Sequence, residues 1–287
     1  MLLTASAGPA DAVLRVADDA GNVVALAAPA RRIVSLAPHA TELLFAAGAG
    51  PRVVATVDFS DFPPPARALP RVGSSAGIDV ERVVALAPDL VIGWHSGNPP
   101  AQLARLRDLG LAVFVTEPRR LSQLPELIER LGLLAGAQAE ASSAARRLRQ
   151  RAMRLEQRYA TRAPVSVFYQ LLDPALMTIS GEHIITDVIR LCGGRNVFAD
   201  LPILAGRIDM EAVLARDPQV IIAGGDAALW REWRHRWSRW PQLQAVRQDR
   251  LVWIDPDTLH RAGPRLLDGA ERLCAALDAA RKPPPMR

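Results

Sequence analysis

From Ala12 to Arg32 apolar and polar residues alternate on either side of Asp18-Asp19-Ala20-Gly21-Asn22, a run of turn formers, and this predicts an N-terminal β-hairpin. The pattern then changes. Ile33 to Leu36 is a short apolar run, read as a buried strand, and Ala37 to Thr41 reads as a loop with Thr41 as helix N-cap. Glu42 to Ala49 predicts a helix stopped by Gly48 and Gly50, and Val53 to Val57 a second strand.

Farther along, the chain repeats itself. GIDVERVVALAPDLVIGW (Gly77 to Trp94) and RIDMEAVLARDPQVIIAGG (Arg207 to Gly225) lie 130 positions apart and share seven identities in the fifteen positions from Ile78 and Ile208. In each copy an aspartate, Asp79 or Asp209, precedes apolar residues at helical spacing, which suits a carboxylate accepting the free amide hydrogens of a first turn. Pro88 and Pro218 end the two helices, and continuous apolar runs then read as strands of a parallel sheet. The likeness extends upstream, where the stretch from Thr186 echoes the one from Thr41 and Val165 to Leu172 parallels Ile33 to Leu36.

Both halves therefore read strand, loop, helix, glycine turn, strand, Asp-capped helix, strand. The stretch 137–162 is rich in Ala and Arg and lacks Gly and Pro, so it predicts a long helix with Leu148, Met153 and Leu155 on its apolar side. About 25 helical residues reach roughly 37 Å, enough to join two lobes rigidly. The expected organisation is a hairpin extension (1–30), an N-terminal α/β lobe (31–136), a linking helix (137–162) and a C-terminal α/β lobe (163–287), that is, two Rossmann-like lobes with parallel sheets. The repetition suggests a ligand held between the lobes.

Composition narrows the function classes. A chain of 287 residues, 49% of them hydrophobic, has the material for one large core or two medium ones. Its apolar runs are too short for a membrane span of about 20 residues. The net charge of +5 comes mostly from scattered arginines, with no nucleic-acid-reading motif among them, so no nucleic-acid partner is expected. The first dozen residues lack the charged and apolar regions of a complete signal peptide. Cys192 and Cys274 have no CxxC or metal-type spacing, and read either as two buried thiols or as one disulfide in an oxidising compartment.

In parallel α/β sheets, ligands sit beyond the carboxyl ends of the strands. The loops there span 37–41, 58–64, 94–99, 171–184, 224–226 and 255–265. Trp94, directly after a buried strand, offers an indole face to a planar ligand or closes its lobe's core. His39, His95 and His260, with Asp257, also fall in these loops, and imidazoles with a carboxylate suit zinc or manganese, although no HxH or HExxH spacing joins them. Trp230, Trp233, Trp237 and Trp240 form a helical stripe expected to pack on its own domain. No nucleophile elbow, P-loop or dinucleotide fingerprint occurs. Glu81 and Glu211, the matched acidic residues of the repeat, sit where a helix dipole favours negative charge, and as a pair would also suit a pseudo-symmetric partner carrying arginine.

In this order, the motifs SLAPHATELLFAAGA, DFSDFPP, GIDVERVVALAPDLVIGWHSGN, ISGEHIITDVIRLCGGRNVFAD and HRAGPRLLDGAERLCAAL resemble the periplasmic substrate-binding proteins of ABC importers, in particular the helical-backbone class for vitamin B12, haem and siderophores. The likeness covers roughly Arg31 to Arg281 and is strongest to the cobalamin binders. It implies a bilobed fold bridged by one helix, a corrinoid between the lobes, a periplasmic monomer, a Cys192–Cys274 disulfide, and docking of Glu81 and Glu211 on arginines of a permease dimer. By position, Phe59 falls where the family has a tyrosine, Trp94 matches a pocket tryptophan, and Asp257, Thr258, Leu259, His260 and Arg261 match a ligand-contacting loop. Pro38, His39, His95, Tyr169 and Gly181 complete the expected ligand-binding set.

Three departures stand out. Ala205 replaces a second pocket tryptophan, the 257–261 loop loses its aromatics and gains His260, and His39 is added to the first loop. An imidazole nitrogen suits cobalt or iron, so haem or a ferric siderophore is the alternative ligand within the class, even though Tyr159 and Tyr169 are the only tyrosines. The expectation is a non-enzymatic carrier of cobalamin with no cofactor of its own; the reading from another class is a metal-dependent enzyme or zinc–manganese chaperone built on the loop histidines.

Overall fold

The computed structural model of the protein describes residues 13–225 and 227–282. The leader reading of the first dozen residues, and Asp226 of the 224–226 loop, lie outside them. The chain divides into two compact units, one running to Glu117 and including Glu126–Ala145, the other comprising Pro118–Pro125 and everything from Arg146 onward.

In the first unit four parallel strands form one sheet in the order Val53–Ala55, Ile33–Ser35, Leu90–Trp94, Val113–Thr116. Ile33, Val34, Val91 and Ile92 have no exposed surface, as expected of strands covered on both faces. The hairpin pairs Leu14–Ala17 with Val23–Leu26. Its turn is organised by Asp18, whose carboxylate accepts from the amides of Ala20 and Asn22 at 3.0 and 2.7 Å and from Val115 N at 3.2 Å. That last bond fastens the hairpin to the edge strand of the sheet.

The loop expected over Ala37 to Thr41 is in fact mostly helix, which runs Pro38–Ala46. Proline is preset for the first helical position and has no N–H to satisfy there. Thr41 is not the cap; it lies inside the helix, donates to Ser35 Oγ at 2.9 Å, and Ser35 in turn donates to the Ala37 carbonyl at 3.1 Å.

The second unit repeats the topology. Its parallel strands run in the order Gly194–Asn196, Val165–Gln170, Val220–Ala223, Leu251–Trp253, the same permutation of chain order as in the first unit. Thr186, the counterpart of Thr41, donates to the Ser180 carbonyl at 2.6 Å. Gly48 and Gly193 both take positive φ, +81° and +69°, where the two preceding helices end. Cys192 and Cys274 are joined by a disulfide that ties the end of helix Ile184–Leu191 to helix Leu266–Ala280.

Helix Gln138–Tyr159 is continuous across the boundary of the two units; its 22 residues span about 33 Å. Leu148 and Leu155 are buried, but Met153 is half exposed, because five residues from Leu148 is about 140° round the helix. Of the tryptophan stripe, Trp233 and Trp237 are buried and both donate to Gln170 Oε1, at 2.7 and 3.1 Å, so these two do pack on their own unit. No helix among the described residues is long and apolar enough to cross a membrane.

Candidate functional site

In the first unit, strand Leu90–Trp94 delivers Trp94 to the carboxyl edge of the sheet. Its indole lies over Gly97, where an added Cβ would come within 1.9 Å of the ring, so the loop closes only with glycine there. The loop is tied down by buried Asn98, whose Oδ1 accepts from Trp94 N at 2.7 Å while Nδ2 donates to the Leu36 and Ser75 carbonyls at 2.9 and 2.8 Å. His39 meets Trp94 edge to face, with ring centres 5.2 Å apart. The Thr116 hydroxyl spends its proton on the Gly93 carbonyl, so the 3.0 Å contact with His39 is a donation from Nε2–H, which fixes the tautomer. Burial lowers the His39 pKa to about 4, so the ring is neutral at pH 7.

Phe59 differs from the rest. It is 77% exposed and sits at φ +62°, so an aromatic ring is left in water on a backbone that L-residues seldom adopt. Both features cost free energy, and such outliers concentrate where ligands are clamped. His95, in the 94–99 loop, is exposed, and Pro38 is half-buried.

In the second unit, strand Val165–Gln170 carries Tyr169, which has no exposed surface and whose phenol pKa is raised by burial. Its hydroxyl meets His260 Nε2 at 2.9 Å. His183 caps helix Ile184–Leu191 by accepting from Ile185 N through Nδ1 at 3.2 Å. Burial lowers the pKa of both His183 and His260 to about 4, with His260 adding to the effect on His183. Asp257, in helix Pro256–Leu259, pairs with Arg261 at 2.9 Å and stands 4.0 Å from Arg265. Thr258 turns its hydroxyl to the Asp255 carbonyl at 2.7 Å, and Leu259 is wholly buried. Gly181 is buried too: a Cβ would lie 2.7 Å from the Ala199 carbonyl, and its own carbonyl accepts from Arg120 and Arg190 at 3.1 and 3.2 Å.

Glu81 and Glu211 are exposed in the first turns of Val80–Ala85 and Met210–Arg216. Both helices have the predicted caps: Asp79 accepts from Arg82 N at 2.9 Å and Asp209 from Ala212 N at 2.7 Å. Even the unusual ends match, since Ala87 and Asp217 both take positive φ, +43° and +35°, just before the prolines. Among the described residues, no group of three or more His, Cys, Asp or Glu side chains is arranged to hold a metal ion. His39 and His260 each have a hydroxyl partner in their own unit.

A family model for the periplasmic binding protein matches residues 33–258. The chain belongs to this family. It is 38% identical over 258 residues to the vitamin B12-binding protein of Vibrio cholerae serotype O1, covering 88% of this chain and 91% of that protein. The crystal structure of the periplasmic vitamin B12 binding protein BtuF of Vibrio cholerae superposes with a TM-score of 0.81, covering 89% of this chain and 99% of that one. The periplasmic heme-binding protein RhuT of Roseiflexus sp. RS-1, 28% identical, gives a TM-score of 0.72 over 88% and 99% of the two chains. The fold is the two-lobed α/β architecture of these binding proteins.

For a periplasmic binding protein of this build, the sequence pattern hides several working residues. Asn98 and Thr116 position Trp94 and His39 but are ordinary polar residues at a strand edge. His183 looks like any loop histidine until the helix it caps is seen. The contact between Tyr169 and His260 spans 91 residues and carries no local signal.

Proposed function

We propose that this binding protein captures cobalamin at its strand-end loops and passes it to a membrane permease, performing no chemistry itself. The observation that carries the reading is identity to a vitamin B12-binding protein sustained over nearly the whole chain. Local geometry supports it. Phe59 and Trp94 offer phenyl and indole faces on the first unit, His95 adds an exposed polar edge, and Asp257, His260 and Arg261 present polar groups on the second. His39 backs Trp94, while Tyr169 through its bond to His260, Thr258 through its bond to the Asp255 carbonyl, and buried Leu259 hold the second unit's 257–261 loop.

Glu81 and Glu211 are the proposed docking points on the permease, being equivalent, exposed and held on equally capped helices. The disulfide suits an oxidising compartment, in keeping with a periplasmic location. Haem is the second reading, favoured by the neutral His260 ring, whose nitrogen suits iron, and by the likeness to a heme-binding structure.

Calorimetric titration of the purified protein with cyanocobalamin, haemin and zinc, each alone, tests the assignment. Tight one-to-one uptake of cyanocobalamin with weaker haemin binding is the expected result. Tight binding of haemin alone moves the assignment to haem, and of zinc alone removes the carrier reading.

A further inference from the structure

Charge separates the two units. The first has ten basic residues against fourteen acidic ones, net −4, and the second twenty-five against sixteen, net +9. Two stretches of the second unit hold most of the excess: 146–162, with seven arginines against Glu156, and 230–250, with six against Glu232 and Asp249. In the first stretch most of the guanidiniums are engaged. Arg151 is clamped by Asp268 at 2.6 Å and Glu271 at 2.8 Å, Arg147 and Arg149 have partners, and Arg162 donates to the Arg158 carbonyl.

The second stretch is built differently. Helix Trp230–Trp237 turns Trp233 and Trp237 into the core of the unit, and Trp230 stacks on Trp233 with ring centres 5.0 Å apart. Arg231 lies about 200° round the helix from Trp233, on the outer face, and is exposed. Arg239, just past the helix end, is exposed as well. Arg234 pairs with Asp249, and Arg236 with Glu232 and Asp173, but among the described residues neither Arg231 nor Arg239 makes an ion pair. Trp230 and Trp240 flank the two arginines in the chain and are half-buried.

This chemistry restricts the partner. A guanidinium matches the geometry of a phosphate, and an indole that is part buried and part wet suits the headgroup level of a bilayer. The large apolar side chains of the helix are already committed to the core, so the contact is with headgroups and involves no insertion. The helix also has a telling neighbour. Helix Met210–Arg216, which carries the proposed docking residue Glu211, packs through Val213 on the same core as Trp233 and Trp237.

We propose that the outer face of helix Trp230–Trp237, with Arg231 and Arg239, binds the headgroups of anionic phospholipids and so steadies the carrier on the bilayer beside its permease. The placement beside the permease rests on the docking reading of Glu211; the lipid contact does not.

Flotation with vesicles of phosphatidylcholine alone, and of phosphatidylcholine mixed with phosphatidylglycerol, tests the contact. The wild type is expected to float with the mixed vesicles at low salt, to be released at high salt, and to ignore phosphatidylcholine. Arg231→Gln combined with Arg239→Gln is expected to weaken partitioning about tenfold. Arg146→Gln combined with Arg154→Gln removes the same charge from exposed positions in the other arginine-rich stretch, and is expected to stay within about twofold of the wild type. Equal losses in the two double variants would assign the binding to net charge and overturn the proposal. A wild type that ignores the mixed vesicles, or that binds both kinds equally, overturns it too. No permease is present in these vesicles, so any of those failures leaves the docking of Glu81 and Glu211 standing.

Discussion

The two units share one frame and differ in what they put at its edge. Strand order, the Ser–Thr lock under the first helix, the positive-φ glycine that ends it and the Asp-capped helix before Pro88 or Pro218 all recur. These are features of backbone geometry, which any copy of the fold has to satisfy. At the strand ends the likeness stops. The first unit presents Trp94 over a neutral, buried His39 and an exposed Phe59 on a strained backbone, whereas the second has paired indoles, a Tyr169–His260 contact and the molecule's disulfide. What was duplicated is scaffold; what diverged is chemistry.

The difference is open to attack, and the disulfide gives the largest effect. It lies wholly in the second unit and closes a loop of 82 residues, so replacing both cysteines by serine is expected to destabilise that unit by about 2–5 kcal/mol. Urea unfolding followed by tryptophan fluorescence isolates the response, because of the six tryptophans only Trp94 lies in the first unit. An unchanged midpoint would show that the crosslink is incidental to the second unit.

A smaller effect comes from the buried histidines. His39 in the first unit, and His183 and His260 in the second, have folded pKa values near 4 against an ordinary 6.5. As pH falls below 6.5 the unfolded chain takes up protons that the folded chain refuses, so stability is fully present above pH 6.5 and is lost as pH falls toward 4. For His39 alone the loss between pH 6.5 and 4.5 is about 2 kcal/mol. Urea unfolding of His39→Asn followed by circular dichroism at the two pH values is expected to show a shallower decline than the wild type; an equal slope would mean that His39 titrates normally.

The smallest effect on the ligand is expected at the feature the units share most closely. Reversing Glu81 and Glu211 together to arginine leaves cobalamin affinity unchanged and abolishes transfer to the permease in a reconstituted transport assay. Loss of ligand binding in that variant would place the glutamates in the ligand site.

Much of the frame is legible in the chain because it rests on local rules. Asp79 and Asp209 announce helices by carboxylate capping, apolar runs announce buried strands, and the same spacing written twice announces two lobes. The start of the first helix is not legible in the sequence, because Pro38 acts through a preset backbone and Thr41 looks like a cap while bonding inward. Met153 is apolar like Leu148 and Leu155, but its angle round the helix turns it outward. The site was only partly legible. Trp94 and the 257–261 loop are visible as strand-end residues, but the Asn98 anchor and the Thr116 contact that fixes the His39 tautomer depend on residues brought together from distant stretches. Cys192 and Cys274 show the same limit, since their spacing allowed both thiols and a bridge.

The most direct measurement of the central claim is the absorption spectrum of the protein purified from its natural host, since corrinoids and haem absorb at distinct wavelengths. A cobalamin spectrum that persists through size-exclusion chromatography at one equivalent per chain is the predicted result. A haem spectrum in its place, or a colourless protein that takes up no added cyanocobalamin, would contradict the assignment.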